Sequence, residues 1–151
     1  MSNTKLSISI PLDNDGFIEL ECDFCRTRFM ITGDDFESID MPYFFCPICG
    51  LPNDLNTFYC PEVIDLAEQM AFEHAMKLID NTLGKTIKDI NKSGFIKMKL
   101  KTPKKEPKKE LFIPVGHYIP CKTSCCHMQI KIFELNCQIG VYCPICGGTE
   151  I

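Results

Sequence analysis

Apolar and polar residues alternate along Phe17-Ile18-Glu19-Leu20-Glu21, which predicts a strand with one face toward a core. Arg28-Phe29-Met30-Ile31 reads as the returning strand. Thr32-Gly33-Asp34-Asp35 is a turn, with Asp34 or Asp35 placed to cap a short helical stretch through Ile39. Tyr43-Phe44-Phe45 predicts a third strand. The same order recurs near the other end of the chain. Ile119-Pro120-Cys121 matches Leu20-Glu21-Cys22, Ile130 and Ile132 match Phe29 and Ile31, and Val141-Tyr142-Cys143 matches Phe44-Phe45-Cys46.

Between the two copies the period changes from two to a helical one. Phe72, Met76, Ile79, Leu83, Ile87 and Ile90 recur at four- and three-residue steps and line one face. Val63, Leu66 and Met70 extend the apolar stripe upstream. Pro61 suits the first helical position, and Glu62 and Asp65 suit its positive end. Asn81-Thr82-Leu83-Gly84 is the expected break, since a glycine costs about 1 kcal/mol inside a helix. The stripe is either packed against the rest of the chain or the seam of a dimer. After it, Lys97-Met98-Lys99-Leu100-Lys101 alternates like an exposed strand, and Thr102 to Glu110, with Pro103 and Pro107, reads as an extended, solvated linker.

Cysteine spacing adds chemistry to this pattern. Cys22-x2-Cys25 stands at the first turn and Cys46-Pro47-Ile48-Cys49-Gly50 at the second. Thiolate pairs brought together by a hairpin make the tetrahedral four-sulfur cage that Zn2+ prefers. The second copy ends in Cys143-Pro144-Ile145-Cys146-Gly147. Its first pair is less clear. Matching the strands selects Cys121 and Cys126, with a four-residue knuckle, and leaves Cys125 as a neighbour. The competing choice is Cys121 with Cys125, which turns Gln129 inward. His117 and His127 could substitute as ligands, although ordinary packing or surface roles suit them as well. His74 has no Cys or acid at metal spacing and is assigned a structural role.

The 11 cysteines could instead form a disulfide framework, but the count is odd and the paired spacing is that of metal ligands. No apolar leader follows Met1, and no apolar run approaches the ~18 residues of a membrane span. A reducing cytoplasmic home is therefore expected. Net charge is -4, unevenly spread. Residues 1–58 hold ten acids against three basic residues, residues 97–109 hold seven lysines against Glu106, and residues 111–151 balance.

The two four-cysteine patterns resemble the zinc ribbon superfamily, with its rubredoxin-like knuckles and a glycine after the second pair, here Gly50 and Gly147. The chain departs from that pattern at Arg26 and His127, where glycine is frequent. The resemblance covers about residues 17–52 and 115–149 and implies a fold rather than a function.

The expected architecture is α+β, small and metal-stabilised. An N-terminal ribbon spans residues 1–59, a connecting amphipathic helix 60–96, a basic linker 97–110 and a C-terminal ribbon 111–151. Two zinc ions per chain are expected, on Cys22, Cys25, Cys46 and Cys49 and on Cys121, Cys126, Cys143 and Cys146. Four thiolates close a zinc site, which argues against hydrolysis. A protein-interaction adaptor or a subunit of a larger assembly is the first expectation. Nine of the fifteen aromatic residues lie in 17–59, more than so small a ribbon buries. Tyr43, Phe44 and Phe45, the stretch Leu55 to Tyr59, and the helix residues Phe72, Met76, Ile79 and Leu83 are the expected contact surfaces, the helix for a partner or a homodimer. Nucleic-acid contact is the alternative, through Lys99, Lys101, Lys104, Lys105, Lys108 and Lys109, a stretch that lacks aromatic residues for stacking. Rubredoxin-like electron transfer is a third. Cys60, Cys125 and Cys137 are left as small buried residues, with Cys125 the one to watch as a redox thiol.

Overall fold

The computed structural model describes residues 5–92, 94, 99, 107 and 109–150. Its first hairpin is the one the alternation predicts. Strand β1 (Phe17–Glu21) pairs antiparallel with β2 (Arg28–Thr32), so that Leu20 faces Phe29 and Ile18 faces Ile31. Helix α1 (Gly33–Ser38) follows at once. Its cap is Thr32 rather than either aspartate: the Thr32 hydroxyl accepts from the Asp35 N–H at 3.1 Å. Asp34 and Asp35 instead occupy the first turn, where the helix dipole favours them. Strands β3 (Phe44–Phe45) and β4 (Pro52–Asn53) form a second, two-stranded hairpin, and Leu55–Phe58 makes a 3-10 turn.

Helix α2 (Pro61–Lys92) is continuous, so the expected break near Gly84 does not form. The cost of one glycine is about 1 kcal/mol, too little by itself to split a helix of 32 residues. Within the continuous helix Thr82 and Thr86 donate their hydroxyls to the Leu78 and Thr82 carbonyls, at 2.8 and 3.3 Å. No residue of α2 is buried.

The second copy repeats the first. β5 (Tyr118–Lys122) pairs antiparallel with β6 (Gln129–Phe133), α3 (Glu134–Cys137) follows, and β7 (Val141–Tyr142) pairs with β8 (Thr149–Glu150). The two copies are not separate domains, as their sequence separation suggested. They join edge to edge into one four-stranded sheet, β1-β2-β6-β5, through the pairs Met30↔Lys131 and Ile31↔Ile130. Ser9–Val63 and Leu111–Ile151 accordingly form one compact unit, and Ile64–Glu110 belongs to another.

The physical reason lies in the inner face of the sheet. The register runs Ile18–Ile31–Ile130–Cys121 straight across all four strands. A ribbon of about 40 residues alone cannot bury such a row, and β2 alone would leave an open edge. Joining the hairpins removes both problems. Phe29, Phe44 and Phe58 complete the core, with ring centroids 5.3 to 6.2 Å apart. Phe44 and Phe58 are thus core residues and not the contact surface expected of them.

The outer face carries Lys131, opposite Met30 in the middle of the sheet. Its Nζ lies 2.6 Å from both Asp13 and Asp15 and 4.3 Å above the Phe17 ring. Elsewhere in the same unit Arg28 is shared among Glu19, Glu21 and Glu62 at 2.7 to 3.1 Å.

Candidate metal centres

Two groups of four cysteines converge, Cys22, Cys25, Cys46 and Cys49 in the first copy and Cys125, Cys126, Cys143 and Cys146 in the second. Within each group the sulfurs all lie within 4.8 Å of one another. Each could hold a metal ion.

In the first group the hairpin geometry does the positioning. The Cys22 N–H donates to the Thr27 carbonyl at 3.1 Å and the Arg26 N–H to the Cys22 carbonyl at 2.8 Å, which fixes the knuckle. Arg26 takes φ 57°, the left-handed turn that favours glycine. The other knuckle mirrors it: the Cys46 N–H donates to Leu51, and the Gly50 N–H donates to Cys46 with Gly50 at φ 72°. Cys22 and Cys49 are then 3.7 Å apart, and Cys25 and Cys46 3.8 Å. Four thiolates about 2.3 Å from one Zn2+ have edges of about 3.8 Å, so the spacing is that of a tetrahedral metal cage. The Ile48 N–H points at Cys46 Sγ from 3.4 Å, the support a thiolate ligand needs. Burial, with the neighbouring Cys22 and Cys25, nonetheless pushes the Cys46 thiol well up, so without a cation in the cage it stays protonated.

The second group is built on the same frame with one substitution. The Thr123 N–H donates to Met128, as Cys22 does to Thr27, and His127 takes φ 57° as Arg26 does. Strand register gives the same correspondence: Cys121↔Ile130 stands where Leu20↔Phe29 stands. Thr123 therefore occupies the place of Cys22. It is buried, its hydroxyl accepts from the Met128 N–H at 3.0 Å, and Cys143 Sγ lies 3.8 Å from that hydroxyl.

The expected ligand Cys121 is placed elsewhere. It sits inside β5 at the position of Leu20, with its sulfur 3.1 Å from Cys137. The knuckle has no two-residue insertion, and β5 runs further than the cysteine motif alone suggested. The fourth sulfur comes from Cys125, at the position of Phe24 and 3.4 Å from Cys146. Cys126, Cys143 and Cys146 stand where expected. Burial raises the Cys143 thiol, but the N–H groups of Cys146 and Ile145, with Cys125 and Thr123, outweigh it and bring it down to about 7. The first group is buried or half-buried, whereas three of the four cysteines of the second are exposed.

Neither His117 nor His127 joins a group. Cys60 is buried with its thiol 3.5 Å from the Glu19 carbonyl, and burial together with the Glu19 carboxylate pushes it up to about 12. Of the expected contact residues, Tyr43 is exposed, Phe45 is half-buried, and Phe72, Ile79 and Leu83 on α2 are 57%, 43% and 46% exposed, with Met76 half-buried. Of the basic stretch, Lys99 is exposed and Lys109 pairs with Asp65 at 2.6 Å. Lys101, Lys104, Lys105 and Lys108 lie outside the described residues.

No family model, no curated protein and no solved structure matched the chain. Among the described residues, no helix is long and apolar enough to cross a membrane.

Proposed function

We propose that this chain is a non-catalytic, zinc-stapled interaction module, an adaptor or a subunit of a larger assembly that works in the reducing cytoplasm. The observation that carries it is α2. A helix of 32 residues has no buried residue, while Phe72, Leu78, Ile79 and Leu83 are exposed. An amphipathic helix of this length, about 48 Å, gains most of its stability by burying its stripe against something. The four- and three-residue steps of Phe72, Met76, Ile79 and Leu83 suit a second helix lying alongside. A partner protein or a second copy of this chain supplies it.

Zinc is the metal that fits both cages best. Four thiolates satisfy its tetrahedral preference and leave no open position for substrate. It supplies folding energy, on the order of 10 kcal/mol or more per site, to a unit with a small core. Nucleic-acid contact is the weaker alternative, because Asp65 already neutralises Lys109. Iron electron transfer is weaker still, since one of the two cages departs from the knuckle spacing.

Sedimentation of wild type and of the Ile79→Asp, Leu83→Asp double variant tests the proposal. A wild type that self-associates, or that binds a partner helix, and a zinc-loaded variant that does neither support it. A wild type monomeric at high concentration, with a variant that unfolds, would place the stripe in the chain's own core and end the docking model.

A further inference from the structure

Cys121 and Cys137 belong to neither metal group, yet their sulfurs are 3.1 Å apart. That is closer than the 3.7 and 3.8 Å of the first cage and closer than the ~3.8 Å that two thiolates keep on one zinc. The pairing is produced by the fold. Cys121 lies on β5, α3 follows β6 directly, and Cys137 is the last residue of α3. Packing does not call for two thiols here. The corresponding positions in the first copy are Leu20, in the hydrophobic core, and Phe36, packed against it. Access is graded as well, because Cys137 is exposed and Cys121 is half-buried.

We propose that Cys121 and Cys137 form a thiol–disulfide exchange site whose co-reactant is a small disulfide of the glutathione type. The Cys137 thiolate attacks the small disulfide, forming a mixed disulfide and expelling one small thiolate. Cys121 then attacks the Cys137 sulfur, forming the Cys121–Cys137 bond and expelling the second. The two protons given up by the protein thiols end on the two small thiols, and the two electrons pass from the protein to the small disulfide. Cys137 is the entry point because it faces solvent. Burial and the neighbouring Cys137 hold the Cys121 thiol up at about 11, which leaves the first attack to Cys137, and the 3.1 Å sulfur separation brings Cys121 within reach for the second. The bond closes a loop that contains Cys125 and Cys126, half of the second metal group, so oxidation staples the backbone around that group without using its sulfurs.

The test uses the full zinc-loaded chain and oxidised glutathione. Disulfides are mapped by mass spectrometry after alkylation, while a chromogenic chelator reports released zinc. The expected product is one Cys121–Cys137 cross-link with both zinc ions retained. Cys121→Ser should accumulate a glutathione adduct on Cys137, and Cys137→Ser should take up glutathione at least about tenfold more slowly. Oxidation that starts at Cys125, Cys126, Cys143 or Cys146 and releases zinc would overturn the proposal. So would a folded wild type in which Cys121 and Cys137 stay reduced. If a variant fails to fold, the wild-type map alone decides between these results.

Discussion

The ring of Tyr142 lies directly on Gly50, so that a Cβ on that glycine would stand 2.8 Å from the ring. The reciprocal contact, Phe45 on Gly147, has the same 2.8 Å clearance. Each aromatic residue also donates its N–H into the other copy, Tyr142 to Pro47 at 2.9 Å and Phe45 to Pro144 at 2.8 Å. The glycine that turns each knuckle is thus also the seat for the other copy's ring.

Gly50→Ala and Gly147→Ala should each destabilise the protein by about 1–3 kcal/mol, from the left-handed φ and from the displaced ring together. Ala at Gly84, where a Cβ meets open space inside α2, should be neutral or slightly stabilising. Denaturant midpoints of the three variants check this. Equal midpoints for Gly50→Ala and Gly84→Ala would show that the ring contact carries no weight.

Asp13→Asn should cost about 1–2 kcal/mol, because Lys131 is largely buried and would keep only the exposed Asp15 as a counter-charge. The pH dependence has a definite sign. Burial raises the Asp13 carboxyl, but Lys131 and the N–H groups of Phe17 and Asp15 hold it below its usual 3.8. Its contribution is therefore complete above that value and is lost as pH falls through the lower folded one. Burial lowers Lys131, but Asp13 and Asp15 hold it above its usual 10.5, so its contribution is complete below that value and is lost as pH rises through the higher folded one. The difference between wild type and Asp13→Asn should stay flat from about pH 5 to about pH 9. A slope inside that range would mean that another group titrates with the pair.

The strands of the first hairpin and the four cysteines that converge beside it were legible, because a two-residue alternation and a Cys-x2-Cys spacing are local signals. What was not legible was non-local. Nothing in Met30-Ile31 or Ile130-Lys131 announces that two hairpins about a hundred residues apart share an edge. Phe44 looked like a surface aromatic because its buried partners Phe29 and Phe58 come from other segments. The second knuckle misled because Cys121 was matched to Cys22, which needs a two-residue insertion in the turn: Cys121 instead pairs with Ile130 as Leu20 pairs with Phe29. The spacing from Ile130 back to Thr123, equal to that from Phe29 back to Cys22, was the available signal.

That correspondence can be tested by repair. Thr123→Cys with Cys125→Ala rebuilds the first copy's knuckle, with the new sulfur at a buried position now held by a hydroxyl. The variant should keep two zinc ions and should lose the second one to a chelator about tenfold more slowly than wild type, whose Cys125 is exposed. Faster loss would show that Cys125 is the better-placed ligand and that Thr123 does not stand in for one.

The most direct measurement is native mass spectrometry of the purified chain, counting zinc in wild type, Cys125→Ala, Cys121→Ala and Cys46→Ser. Two zinc ions per chain are expected in wild type and in Cys121→Ala. Cys125→Ala should weaken or empty the second site, and Cys46→Ser should empty the first and unfold the shared core that surrounds it. A wild type holding one zinc or holding iron, or a Cys121→Ala chain that loses the zinc Cys125→Ala retains, would contradict the account.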